Sequence, residues 1–198
     1  MTTTPELYQV DQFQARRKIF TLLGAQFHLR AFDGTLLAYS RQKAFRLKED
    51  IRVFADEAQS HELLRIKSDR IIDFSASYHV YDAQTNECFG SLRRKGWSSL
   101  FRDKWEILDA DGVVRGRVTE DSGWKAFFRR FNEMLALLMP QTFHIEVDGR
   151  NVATVAGRFN WFTQSFDVEL SQDADSIMPR PLTIAMVILL LAVEGKQA

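Results

Sequence analysis

The sequence predicts an all-β protein: one closed or nearly closed antiparallel β-barrel of about twelve strands around a central hydrophobic C-terminal helix, with one extra amphipathic helix. Three observations predict it. A hairpin-like unit recurs five times between residues 27 and 155. The stretch from Leu182 to Val193 is apolar on every side, with Thr183 as its one polar residue. No low-complexity stretch or long linker interrupts the 198 residues, so 1–198 reads as a single domain.

Residues 1–24 read as an N-terminal arm with room for one strand and a turn. Leu7, Val10 and Phe13 alternate loosely with polar residues there, ahead of Arg16-Arg17-Lys18. The repeat then begins. Phe27–Phe32 leads into Asp33-Gly34 and on to Thr35–Tyr39. Ile51–Phe54 leads through Asp56-Glu57 to Glu62–Lys67, and Tyr78–Tyr81 leads through Asp82 to Cys88–Leu92. Trp105–Leu108 leads through Asp109–Gly112 to Val113–Val118, and Phe143–Val147 leads through Asp148-Gly149 to Val152–Val155. Each unit alternates apolar and polar residues, turns at an Asp, and alternates again, which is the pattern of a β-hairpin. A closing strand is expected over Trp161–Leu170.

Five hairpins, a closing strand and an N-terminal strand make eleven or twelve strands. That many antiparallel strands curl or close, because open edges invite aggregation. About eight strands is the size that side chains alone can fill, so a larger barrel needs a plug. The helix expected over 181–194 supplies one. Pro179 and Pro181 mark its start and Gly195 follows it. The twelve residues Leu182–Val193 reach roughly 18 Å, short of the about 20 apolar residues that a bilayer core demands. Burial in protein is the expectation, and a short interfacial membrane anchor is the alternative.

One insertion breaks the rhythm. Residues 122–139 read as an amphipathic helix ending at Pro140. Trp124, Phe127, Phe128, Phe131, Leu135 and Leu138 fall on one face, and Lys125, Arg129, Arg130, Asn132 and Glu133 on the other.

Twenty-six basic residues balance twenty-six acidic ones, so net charge alone draws the chain to neither nucleic acid nor membranes. Cys88 stands alone and forms no internal disulfide. The start MTTTPELYQV lacks the basic end and apolar core of a signal peptide. The expectation is a cytoplasmic protein that can sit peripherally on the inner membrane face.

The candidate binding residues are basic and aromatic. Arg93, Arg94, Lys95 and Trp97 share one hairpin connection with Lys104, and Lys125, Arg129 and Arg130 lie on the amphipathic helix. Cations pair with phosphate, and aromatic rings favour the membrane interface. The plainer reading is a solvated loop beside a helix whose rings cap the barrel. Asp109–Glu120 begins D-x-D and ends in Glu like a calcium loop, but Val113 and Val114 stand where such a loop needs a ligand and a glycine. His28, His61, His79 and His144 show no metal-ligand spacing, and no nucleotide-binding or nucleophile-elbow motif occurs. No catalytic residue, metal or cofactor is expected, and the chain reads as a non-enzyme.

The pattern resembles the tubby C-terminal-like superfamily, and within it the LURP-one-related and phospholipid scramblase branch. The residues that carry the resemblance are Tyr78–Asp82 with Gly90–Lys95, Trp105–Gly112, and the helix Leu182–Val193. It covers nearly the whole chain from about residue 25. The resemblance implies a twelve-stranded barrel around a hydrophobic helix. Tubby relatives bind phosphoinositide headgroups at a basic surface. Scramblase relatives are associated with calcium-dependent lipid movement and membrane anchoring. This chain departs from the scramblase pattern in having no cysteine cluster for palmitoylation and no Pro-rich N-terminal region. The expected function is peripheral binding of anionic phospholipid or another phosphate-bearing ligand. The alternatives are a scramblase-like protein inserted through its C-terminal helix and a soluble protein-interaction scaffold.

Overall fold

The structure, a computed structural model, describes residues 4–20, 24–42, 50–69, 76–95, 103–121, 141–158 and 164–193. Twelve strands form the barrel: β1 (Gln12–Phe20), β2 (Gly24–Arg30), β3 (Leu36–Gln42), β4 (Asp50–Phe54), β5 (Glu62–Ser68), β6 (Ser77–Asp82), β7 (Cys88–Arg94), β8 (Asp103–Leu108), β9 (Val114–Glu120), β10 (Thr142–Val147), β11 (Arg150–Arg158) and β12 (Gln164–Leu170). Each pairs antiparallel with its neighbours in sequence, and β1 pairs with both β2 and β12, which closes the ring. The N-terminal arm, with its expected room for one strand, supplies β1. The amphipathic helix expected over 122–139 lies outside the described residues.

Turn chemistry sets the five hairpins. Asp148 and Gly149 both take positive φ (48° and 76°) between the paired residues Val147 and Arg150. This is the two-residue turn whose twist matches a right-handed hairpin. Each hairpin also carries a register shift close to its turn, between Leu29/Arg30, Val53/Phe54, Val80/Tyr81, Ile107/Leu108 and Ile145/Glu146. Bulges bend and twist a strand, and a sheet needs such bends to close.

Inside runs a helix. A short α1 (Ala174–Ile177) precedes α2 (Arg180–Val193). Every residue from Leu182 to Ala192 is at most 2% exposed. At about 1.5 Å per residue, fourteen residues span roughly 21 Å, close to the roughly 23 Å of a seven-residue strand. The helix thus matches the wall that surrounds it. Its eight large apolar side chains each gain about 1.5–3 kcal/mol on burial, a sum comparable to the whole net stability of an ordinary domain.

Two arginines tie the ends of α2 to β1 and its lead-in. At the start, Arg180 donates to both carboxylate oxygens of Asp175 (2.7 Å each), to the Val10 carbonyl (2.6 Å) and to Asp11 Oδ1 (2.8 Å). At the end, Arg17 donates to the Leu191 carbonyl at 3.0 Å, with its guanidinium 5.8 Å from the Phe27 ring centroid. The last carbonyls of a helix lack partners within it and carry partial negative charge, so a cation there serves twice. Burial pulls the Arg17 pKa down from its ordinary value.

On the outer wall, His28 of β2 is covered by the β4–β5 turn. Its Nε2 lies 3.4 Å from Glu57 Oε1, and its ring meets Tyr39 edge-on at 5.1 Å. Burial lowers its pKa, as do the Lys18 and Arg30 charges, against an upward pull from Glu57. The unfolded chain then binds this proton more readily than the folded one, so stability falls as pH drops below about 6.5, the ordinary histidine value. Urea midpoints should fall more between pH 7.5 and 5.5 for the wild type than for His28→Gln. Equal falls would remove His28 as the source.

Candidate functional site

The up-and-down topology gives the barrel two distinct rims. The short turns joining β2–β3, β4–β5, β6–β7, β8–β9 and β10–β11 share one rim with the lead-in to β1 and with α1. This is the turn rim. The strand ends at Phe20, Gln42, Ser68, Arg94, Glu120 and Arg158 share the other, here the loop rim.

The loop rim receives the sequence-predicted basic residues that the structure describes. Strand alternation separates Arg93 from Arg94. Arg93 pairs with Glu106 across β7–β8 on the outer wall, with its Nε and Nη2 donating to Glu106 Oε2 at 2.9 and 2.6 Å. Lys95 Nζ lies 3.0 Å from the other oxygen of the same carboxylate. Burial pushes the Glu106 pKa up, but the bonds from Arg93 and Lys95 outweigh it and hold the group below its usual value. Two cations on one carboxylate leave net positive charge on this wall. The Arg93 and Lys95 side chains are exposed, while the Glu106 carboxylate they share is largely buried.

Arg94 takes the opposite face of β7, shared with Leu92, and pairs in register with the buried Trp105. Its charge acts on Tyr78, whose hydroxyl burial pushes above its ordinary pKa while Arg94 pulls it down. Tyr78 and Trp105 sit 5.7 Å apart between ring centroids. The predicted cluster 93–95 is therefore divided between two faces of the wall. Lys104 is a residue of β8 whose side chain lies outside the described residues, as do Trp97, Lys125, Arg129 and Arg130 entirely. The strand ends that bound 96–102 and 122–140 nonetheless lie on the same rim, with Arg94 opposite Trp105 and Glu120 opposite Phe143.

Glu106 was not among the candidates read from the sequence. β7 and β8 are joined through residues 95–102, not through a tight turn, and only their register in the folded barrel sets Glu106 beside Arg93. The histidines take no common role. His144 is half-buried on β10, while His79 on β6 lies 6.4 Å from the Tyr81 ring, which Lys67 Nζ approaches at 5.4 Å. The D-x-D stretch at Asp109 is a turn, since Asp109 Oδ1 accepts the backbone N–H groups of Asp111 and Val113 at 3.1 and 2.9 Å.

Topology also sorts the composition. The connections 21–23, 43–49, 69–76, 95–102, 121–141 and 159–163 join strands whose ends lie on the loop rim. Together they hold nine Lys and Arg residues against five carboxylates, and eleven of the twenty Phe and Trp residues of the chain. The turn segments of the opposite rim hold no Lys or Arg at all.

Comparison with known proteins places this architecture. An X-ray structure of a protein from Arabidopsis thaliana shares the fold with a TM-score of 0.55 at 12% sequence identity, covering 98% of each chain. No curated protein matches the sequence. Among the described residues no helix is long and apolar enough to cross a membrane. A family model described as LURP-one-related matches residues 36–191, the span from β3 to the last turn of α2, and the chain belongs to the LURP-one-related family.

Proposed function

We propose that the protein is a non-enzymatic binding module that docks peripherally on anionic phospholipid, or on another phosphate-bearing ligand, through its loop rim. The observation that supports this reading is the sorting of cations and aromatic residues to the connections of one rim. Guanidinium groups match phosphate oxygens bidentately, and amphipathic rings settle at the level of lipid headgroups. A rim that joins both can adsorb without inserting a helix. On this reading α2 stays in the barrel, and the protein works from the cytoplasmic side.

The experiment is flotation of detergent-free protein with neutral and with anionic vesicles at low and high salt. Binding to anionic vesicles alone, abolished by salt, is expected, because attraction between surface charges is screened. The double substitution Arg129→Glu, Arg130→Glu is expected to lose flotation while keeping the circular dichroism spectrum of the wild type. Unchanged flotation of that variant would remove both residues from the site. Salt-resistant flotation with both vesicle types would mean that α2 leaves the barrel for the bilayer, and the docking reading would fall.

A further inference from the structure

We infer that the barrel is an electrostatic dipole along its own axis, and that this dipole orients docking end-on, with the turn rim held away from the anionic surface. The inference rests on the docking reading above and adds an orientation to it. The segments of the turn rim are residues 4–11, 31–35, 55–61, 82–87, 109–113, 148–149 and 171–179, and they contain twelve carboxylates with no Lys or Arg. Among the described residues four arginines reach these carboxylates. Arg30 meets Glu57, Arg115 meets Asp109 and Asp148, Arg150 meets Asp173, and Arg180 meets Asp11 and Asp175. Twelve carboxylates against four arginines leave an excess of eight negative charges. The whole chain has a formal net charge of +0, so the rest of the molecule carries the equal and opposite excess.

The cause is turn chemistry combined with topology. Asp favours a turn because its carboxylate accepts backbone N–H groups a residue or more ahead. Asp33 does so with Thr35, Asp56 with Ser60 and His61, and Asp82 with Gln84 and Thr85. An up-and-down barrel places every such tight turn on the same rim. The turn code therefore concentrates carboxylates at one end. The backbone N–H of Thr35 holds the Asp33 carboxyl below its ordinary value, and Arg115 does the same for Asp148.

Distance makes the polarity useful. Strands of a closed barrel tilt by about 35–45° to its axis, so a seven-residue strand separates the rims by roughly 16–19 Å, beyond the about 8 Å screening length at physiological salt. When the loop rim touches an anionic surface, the carboxylates lie outside the range of repulsion. The reversed pose brings the eight-charge excess within it. Net charge is silent about this, because the opposing fields cancel only far from the molecule.

The test uses the full chain with Cys88→Ser, carrying a single fluorophore on a cysteine at Ala110 (turn rim) or Asp50 (loop rim). The vesicles contain phosphatidylcholine and phosphatidylserine with a headgroup-attached quencher. The label at Asp50→Cys is expected to be quenched and the label at Ala110→Cys to keep its fluorescence. Adding Glu6→Lys, Glu87→Lys and Asp111→Lys, which reverses three carboxylates of the turn rim, is expected to quench the Ala110 label as well. Equal quenching of both labels in the parent protein would overturn the orientation while leaving docking intact. An orientation unmoved by the three reversals would show that the dipole does not set it. Absence of quenching in all variants would refute docking itself, and the orientation with it.

Discussion

Ile188→Asp is expected to abolish folding of the detergent-free protein. Ile188 is 0% exposed, in the middle of α2, with barrel wall on every side. An aspartate there either buries an unpaired charge or shifts its pKa until it is neutral, and both routes cost several kcal/mol. The lost apolar burial adds about 2–3 kcal/mol. The total approaches the 5–15 kcal/mol that an ordinary domain has in hand. The far-ultraviolet spectrum and a urea melt check this. The conservative Ile188→Val, expected at about 0.5–1.5 kcal/mol, should melt cooperatively at a slightly lower midpoint. A folded Ile188→Asp protein with a wild-type midpoint would mean that α2 does not fill the barrel.

Gly90→Ala has the second largest expected effect. Gly90 sits on β7 with φ of +141°, a conformation that side chains resist. A methyl group there would collide with the Leu108 carbonyl of the neighbouring strand and stand 3.1 Å from Leu182 Cδ2 of the plug. The first of these neighbours is backbone, so relief requires β7 and β8 to part. Strain and overpacking together point to a loss of about 3 kcal/mol or more. The contrast is Gly112→Ala, where φ is +79° but nothing lies within 4 Å. That variant should lose only about 1–2 kcal/mol from backbone strain. Urea midpoints of the two proteins, compared with wild type, decide the matter: similar losses would show that the collision with β8 is unimportant.

Much of the barrel was legible because its signals are local. Alternation with period two, an Asp or Asp-Gly at each turn, and an apolar run too short for a bilayer are read from neighbouring residues. Phe27–Tyr39 became β2 and β3, and Phe143–Val155 became β10 and β11, with the turns where the aspartates stand. The N-terminal pattern showed room for one strand, which is β1, but the inward position of Arg17 on it was not legible. A buried cation does not look like a core residue until its partners, the Leu191 carbonyl and the Phe27 ring, are known.

The candidate site was legible only in part. The run Arg93-Arg94-Lys95 was visible as basic, and alternation along β7 divides Arg93 from Arg94. The carboxylate of Glu106, which joins Arg93 and Lys95 from 11 or more residues away in sequence, depends on the register of β7 against β8. Charge balance misled in the same way. Twenty-six against twenty-six suggests an even field. The turn rim shows an acidic excess instead, because connectivity decides which turns share an end.

By itself the sequence determined the strands, the turns and the plug, since each follows from the chemistry of residues close together in the chain. Tertiary structure alone decided which residues stand beside one another: Arg17 at the end of α2, Arg180 between Asp11 and Asp175, Arg93 on Glu106, and the acidic turns gathered on one rim. The physical reason is that hydrogen bonds and ion pairs act over a few ångströms of space, and only closure of the barrel converts distance along the chain into that proximity.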